Sequence, residues 1–159
     1  MVLSGGFAKA HVSRLTPVRL AMARLLGAPG FPLAVRIHVS SLGSRFDPPG
    51  TDARLRRLFL QNVTPRGFLD RAELILKADL RPSLRQVNVP VLVLTPEADK
   101  LIGPLAAREL LEGLPHGEEE VLAGTGHLLR FTHPTRYAEA IESFLDRKGV
   151  DAPPRAALP

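Results

Sequence analysis

Apolar residues keep two different rhythms along this chain. In the first half they recur at helical spacing, in short blocks separated by proline and glycine. Thr16-Pro17 reads as an N-cap followed by proline at the first helical position, and Leu15, Val18, Met22, Leu25 and Leu26 then mark one face of a helix ending near Gly27. The stretch PLAVRIHVSSLGS fits a strand or a helix equally well, and the DPPG that follows closes it. Thr51 or Asp52 is placed to cap a further helix carrying Leu55, Leu58, Phe59 and Asn62, and Thr64-Pro65 opens a third through about Leu80.

From Val89 the rhythm changes. VPVLVL is short, continuous and rich in Val and Leu, the pattern of a strand covered on both faces in a parallel sheet. TPEADKLI then reads as a loop, and Gly103-Pro104 opens a helix, LAARELLEG, with Gly113 suited to a left-handed stop. EEEVLAG reads as a second strand and TGHLLRFTHP as the loop after it. Tyr137, Ile141, Phe144 and Leu145 follow i, i+4, i+7, i+8 and predict a last helix ending at Gly149. The tail VDAPPRAALP has too little apolar content to pack and is expected to be mobile. Three segments result: 1–86, helical after a short strand; 87–148, a βαβα unit; and 149–159, the tail.

A βαβα order implies a parallel sheet with right-handed crossovers, and chemistry in such sheets collects at the carboxyl ends of the strands. Asp99 lies just past the end of the first of these strands and His127 just past the second. A carboxylate and an imidazole are therefore expected to meet at one rim of the sheet. Gly124 and Gly126 give the loop the freedom to turn the ring inward. A neutral imidazole can take a proton from a hydroxyl nucleophile, while the carboxylate fixes its tautomer and stabilises the cation that forms.

Composition narrows the chemistry. With 159 residues, 45% of them apolar, the chain is long enough for a core. The absence of cysteine removes disulfides, thiolate metal sites and a thiol nucleophile. A net charge of +5 comes from arginines scattered singly, and one tyrosine with no tryptophan leaves little for base stacking, so no nucleic-acid role is expected. His11, His38 and His116 lack metal-ligand spacing and read as surface residues; neither a metal nor a cofactor is expected. His133 before Pro134 reads as the start of the last helix. No secretory leader pattern and no run of eighteen apolar residues is visible, which makes a soluble cytoplasmic protein with no membrane partner the expectation.

The stretch from VNVPVLVLTPEADKLI through GTGHLLRFTHPTRYAEAIESFL, residues 87–145, resembles the last two strands and helices of the α/β-hydrolases. The helical first half resembles, more weakly, the cap region of those enzymes, and VLSGGF the end of the strand before the cap. The implied fold is the C-terminal part of an α/β-hydrolase: a short parallel sheet with flanking helices and a helical cap region. The resemblance implies Asp99 as triad acid and His127 as triad base, with a small ester-like substrate. Pro96 stands where the family often has glycine, which implies a stiffer loop. Leu25, Leu26, Phe59 and Phe68 could line an acyl pocket or simply pack a core.

The nucleophile is missing. In this family it sits on a G-x-S-x-G elbow that precedes the acid in the chain, and no such motif exists in the sequence. Ser41, in VSSLG, lacks the preceding small residue and is followed by Phe46-Asp47-Pro48-Pro49, which would break the required helix. Ser4 has no glycine before it and no room for a strand. Glu97 could in principle replace Asp99 as the acid. The oxyanion donors of the family also fall outside this sequence. The expectation is the C-terminal part of a longer hydrolase, from a late start, a split gene or a partial reading frame, inactive by itself and prone to associate with itself or with the missing half. The alternative is a binding module that only associates with a partner.

Overall fold

The computed structural model describes residues 1–12 and 16–150. The predicted helical position of Leu15 and the predicted mobile tail from residue 151 lie outside them. A three-stranded parallel sheet has the order β1 (Val2–Ser4), β2 (Val91–Pro96), β3 (Gly117–Leu122), in register Val2 to Leu92 on one side and Val91 to Gly117 on the other. Between β1 and β2 the chain forms α1 (Thr16–Leu42), α2 (Thr51–Asn62), α3 (Pro65–Lys77) and a 3-10 turn, Arg81–Gln86. Helix α4 (Pro104–Gly113) joins β2 to β3, and α5 (Leu129–Thr132) and α6 (Pro134–Arg147) follow.

Strand β2 explains why the sheet is a core. Its alternate residues face opposite layers: Val91 and Val93 pack with Leu84, Ala107, Leu110 and Leu114, while Leu92 and Leu94 pack with Leu122, Leu129, Ala140 and Phe144. Each fully buried Val or Leu contributes roughly 1.5–3 kcal/mol of transfer free energy, so β2 anchors both layers. Only a strand covered on both faces can use an unbroken apolar run in this way.

The ambiguous stretch is helical. It forms the second part of α1, in which Val35, Val39 and Leu42 are buried at i, i+4 and i+7. Gly27, at φ 55° and ψ −143°, breaks α1 in two, and Pro29 and Pro32 follow the break. The helix is nonetheless long and apolar enough, by length and composition, to cross a membrane, with a mean hydropathy of 1.3 over its most apolar eighteen residues. Gly27 kinks it, and it packs against α2 and α3, but only 11% of that apolar window is buried.

Three local expectations change. Neither Thr51 nor Asp52 caps α2: Gly50 occupies the N-cap in the left-handed region, and the Thr51 hydroxyl donates instead to the Pro48 carbonyl. Gly113 is not a left-handed stop but the last helical residue of α4; it is needed small because a Cβ there would collide with Leu84. Strand β2 starts at Val91 rather than Val89, and α3 ends at Lys77 rather than near Leu80. The Thr64-Pro65 cap forms as read, its hydroxyl accepting from Gly67 N–H at 3.1 Å, and Gly149 takes the left-handed conformation after α6.

Candidate functional site

Two loops leave the carboxyl ends of β2 and β3 side by side. Backbone bonds knit them together, Glu97 N–H to the Leu122 carbonyl at 3.2 Å and Ala98 N–H to the Thr125 carbonyl at 2.9 Å. Thr125 is fully buried, and its hydroxyl donates back to Leu122 at 2.7 Å. This pairing carries Asp99 and His127 toward each other.

The two side chains meet. Asp99 Oδ2 lies 2.8 Å from His127 Nδ1, and Oδ1 accepts the N–H groups of Leu101 and Ile102, each at 2.9 Å. The Asp99 side chain is 2% exposed and that of His127 21%. Three donors thus surround the Asp99 carboxylate, and one of them fixes the imidazole ring. With Nδ1 facing Asp99, Nε2 is the nitrogen left to exchange a proton. The hydrogen-bonded carboxylate and imidazole leave one ring nitrogen open.

Gly5 completes the floor of the pair, and sequence reasoning did not single it out. Its φ of +53° is a glycine conformation, and a Cβ there would sit 3.3 Å from His127 Nδ1 and 3.4 Å from Asp99 Oδ2. The paired glycines directly after the short strand VLS were the signal available. Gly124 takes a φ of +66°, as the loop reading expects. Gly126 is needed for space instead: Ser44 packs where its Cβ would be.

The other candidates fall elsewhere. Ser41 lies in the last turn of α1, its hydroxyl donating to the His38 carbonyl at 2.6 Å, and no strand-to-helix elbow surrounds it. Ser4 is the last residue of β1, directly before Gly5. Glu97 does not face the imidazole: its Oε2 accepts Gly124 N–H at 2.7 Å. His133 ends α5 and N-caps α6 by its backbone, with Nδ1 at 2.9 Å from the Thr132 hydroxyl. His116 is exposed, and His11 pairs with Glu109 at 2.9 Å.

His38 is a correction: it is half-buried rather than on the surface. Its ring stands edge-on to Phe59 and Phe68, with centroids 5.4 Å away in both cases. Burial holds its pKa below the usual histidine value, and the charge His127 can carry adds to that effect. His38 also lines a cavity of about 420 Å³ between the helical segment and the Asp99 loop, walled mainly by apolar residues such as Leu20, Ile75, Leu101 and Ile102. Leu25, Leu26, Phe59 and Phe68 are not among the residues lining this cavity, and Leu25 is 88% exposed. Among the described residues no group of three or more His, Asp or Glu side chains could hold a metal ion.

No family model matches the chain. Its fold does have close counterparts. A thermophilic esterase from Thermogutta terrifontis superposes with a TM-score of 0.76 at 19% identity, over 92% of this chain and 55% of that one. Another thermophilic esterase superposes with a TM-score of 0.73 at 25% identity, over 94% and 57%. The chain has the α/β-hydrolase fold. Among curated proteins it is 28% identical over 88 residues to 3-oxoadipate enol-lactonase 2 of Acinetobacter baylyi, covering 55% of this chain and 33% of that one. The chain thus spans about a third of that relative and a little over half of the solved structures. Its strands β1, β2 and β3 correspond to the C-terminal part of the α/β-hydrolase fold.

Proposed function

We propose that this chain is the acid/base half of an enzyme that hydrolyses an ester or similar acyl bond. The hydrogen bond from His127 to the buried Asp99 at 2.8 Å carries the reading. In it His127 Nε2 is the general base that takes a proton from a serine hydroxyl. Asp99 holds the ring and stabilises the imidazolium, and His127 then returns the proton to the leaving alcohol. The serine and the oxyanion donors are supplied by a segment outside these residues.

The helical segment acts as a cap. His38, Ser44 and Phe46 approach the two loops from this side, and the apolar cavity beside the Asp99 loop suits an uncharged acyl or alkyl group. Acyl transfer by a serine, an imidazole and a carboxylate needs only side chains and water, so this reading calls for no metal or cofactor, and it is proposed for a soluble, cytoplasmic setting.

The two edges of the sheet differ in a way that favours a completing partner. Strand β3 carries Glu118, Glu119 and Glu120, charges that discourage further pairing. Strand β1, with Val2, Leu3 and Ser4, carries none. Its free edge is the one able to accept another parallel strand, either from a nucleophile-bearing segment or from a second copy of the chain.

The alternative reading, a module that associates but does not catalyse, draws support from the exposed Leu25, Leu74 and Phe131. Mixing separates the two. The chain alone should hydrolyse p-nitrophenyl esters at the background rate, because loss of the serine costs on the order of a million-fold. Co-folded with an N-terminal α/β-hydrolase segment carrying G-x-S-x-G, it should turn them over, and H127A should abolish that turnover. A complex that forms and stays at background overturns the enzyme reading in favour of the module.

A further inference from the structure

Two carboxylates bridge the same pair of loops, and only one of them belongs to the acid/base pair. Asp99 reaches His127, while Glu97, two residues earlier, reaches Gly124, three residues before His127. Between them run the backbone bonds from Glu97 and Ala98 to Leu122 and Thr125. We propose that Glu97 is a positioning residue: by accepting Gly124 N–H it pins the start of the β3 loop to the β2 loop, so that His127 arrives at Asp99 in one orientation.

The need for a second bridge follows from the loop itself. Gly124 takes a left-handed conformation, with φ +66°, and a glycine there is free to leave it. The following residues turn directly into the imidazole through Gly126, a second position without a side chain. Thr125 anchors the middle of the turn from the inside, through its buried hydroxyl on Leu122. On the outer side Arg136 donates to the Ala123 carbonyl at 2.7 Å, and Glu97 alone of the two reaches Gly124 itself, also at 2.7 Å. A carboxylate accepting a backbone N–H makes a shorter and stronger bond than a neutral acceptor does, which suits a clamp on the solvent side. Glu97 is itself exposed, so its carboxylate is not held there by burial, and the bond to Gly124 is what its geometry provides.

The catalytic meaning of this clamp rests on the hydrolase reading above, but its test reads the Asp99–His127 pair itself. The experiment is imidazole ¹⁵N–¹H correlation NMR on the full chain, with amide exchange at Gly124, for wild type, E97A and E97Q. In E97A the His127 Nδ1–H signal should broaden or split and Gly124 exchange should rise at least about tenfold. In E97Q, whose amide oxygen still accepts from Gly124, both readouts should stay within about twofold of wild type. An E97A chain with an unchanged His127 signal overturns the proposal, whatever its thermal stability. Should E97A fail to fold, E97D is the second variant: it keeps the charge but is one methylene short, so a wild-type His127 signal in it overturns the proposal and an E97A-like signal supports it. Ester turnover by the co-folded protein can fail without affecting these signals, so failure of the hydrolase reading and failure of the clamp are distinguishable.

Discussion

Asp99 accepts three hydrogen bonds from a position almost closed to water, and the residue type matters as much as the place. An asparagine there keeps the shape but presents an amide that can donate to His127 Nδ1, which turns the ring into the wrong tautomer. In the co-folded enzyme D99N should lower kcat by about 10⁴-fold while substrate binding changes little, as steady-state kinetics would record. His38 gives a second prediction at this scale. Its folded pKa lies below the ordinary value of 6.5, so the unfolded chain takes up a proton that the folded site resists. Stability on this account is complete above the ordinary value and falls as pH drops through it toward the lowered one. Urea unfolding at about pH 7.5 and about pH 5.5 should show a larger loss for wild type than for H38Q. The positions of Asp99 and His127 were legible because each follows a recognisable strand. The Glu97 bond and the burial of His38 were not, since both depend on distances between segments far apart in the chain.

At the scale of elements, the sequence signals that held were those whose cause is local. The Thr64-Pro65 cap needs only its own first turn, and the β2 run only its own composition. Gly113 misled because two physical reasons for glycine look identical in a sequence, a positive φ and a lack of space. Here space decides. Alanine in place of Gly113 would gain about 1 kcal/mol of helix propensity but force Leu84 aside at a cost of about 1–3 kcal/mol. G113A should therefore be less stable in chemical denaturation, whereas in an L84A background, itself destabilised by the lost core side chain, adding G113A should be stabilising. The stretch 32–44 was ambiguous because its β-branched residues suit either state; contacts of Val35, Val39 and Leu42 with the rest of the molecule select the helix.

The whole molecule is a sheet covered on both faces yet open at its edges. Phe144 is the largest fully buried side chain among the described residues and closes the layer formed by α6 against β2. F144A should cost about 3–5 kcal/mol in thermal or denaturant unfolding and loosen the rim that carries His127. The uncharged edge of β1 and the exposed Leu25, Leu74 and Phe131 predict association at rising concentration, to be seen by sedimentation velocity, and its suppression when a completing segment is bound. The two strands of the βαβα unit and the open edges were readable from its rhythm; β1 came only from the resemblance, and the uncovered face expected of so short a sheet is absent, because α4 and α6 cover opposite faces of β2. How the helical segment reaches over the site was not, because loop composition alone does not encode where Ser44 and Phe46 come to rest.

The most direct test of the account is the tautomer of His127, read by long-range ¹⁵N correlation in the wild-type chain near neutral pH. A proton held on Nδ1 and a bare Nε2, lost in D99N, is the predicted result. A proton resident on Nε2, or two tautomers exchanging as in a free histidine, would mean that Asp99 does not hold the ring, and the acid/base pair would not exist.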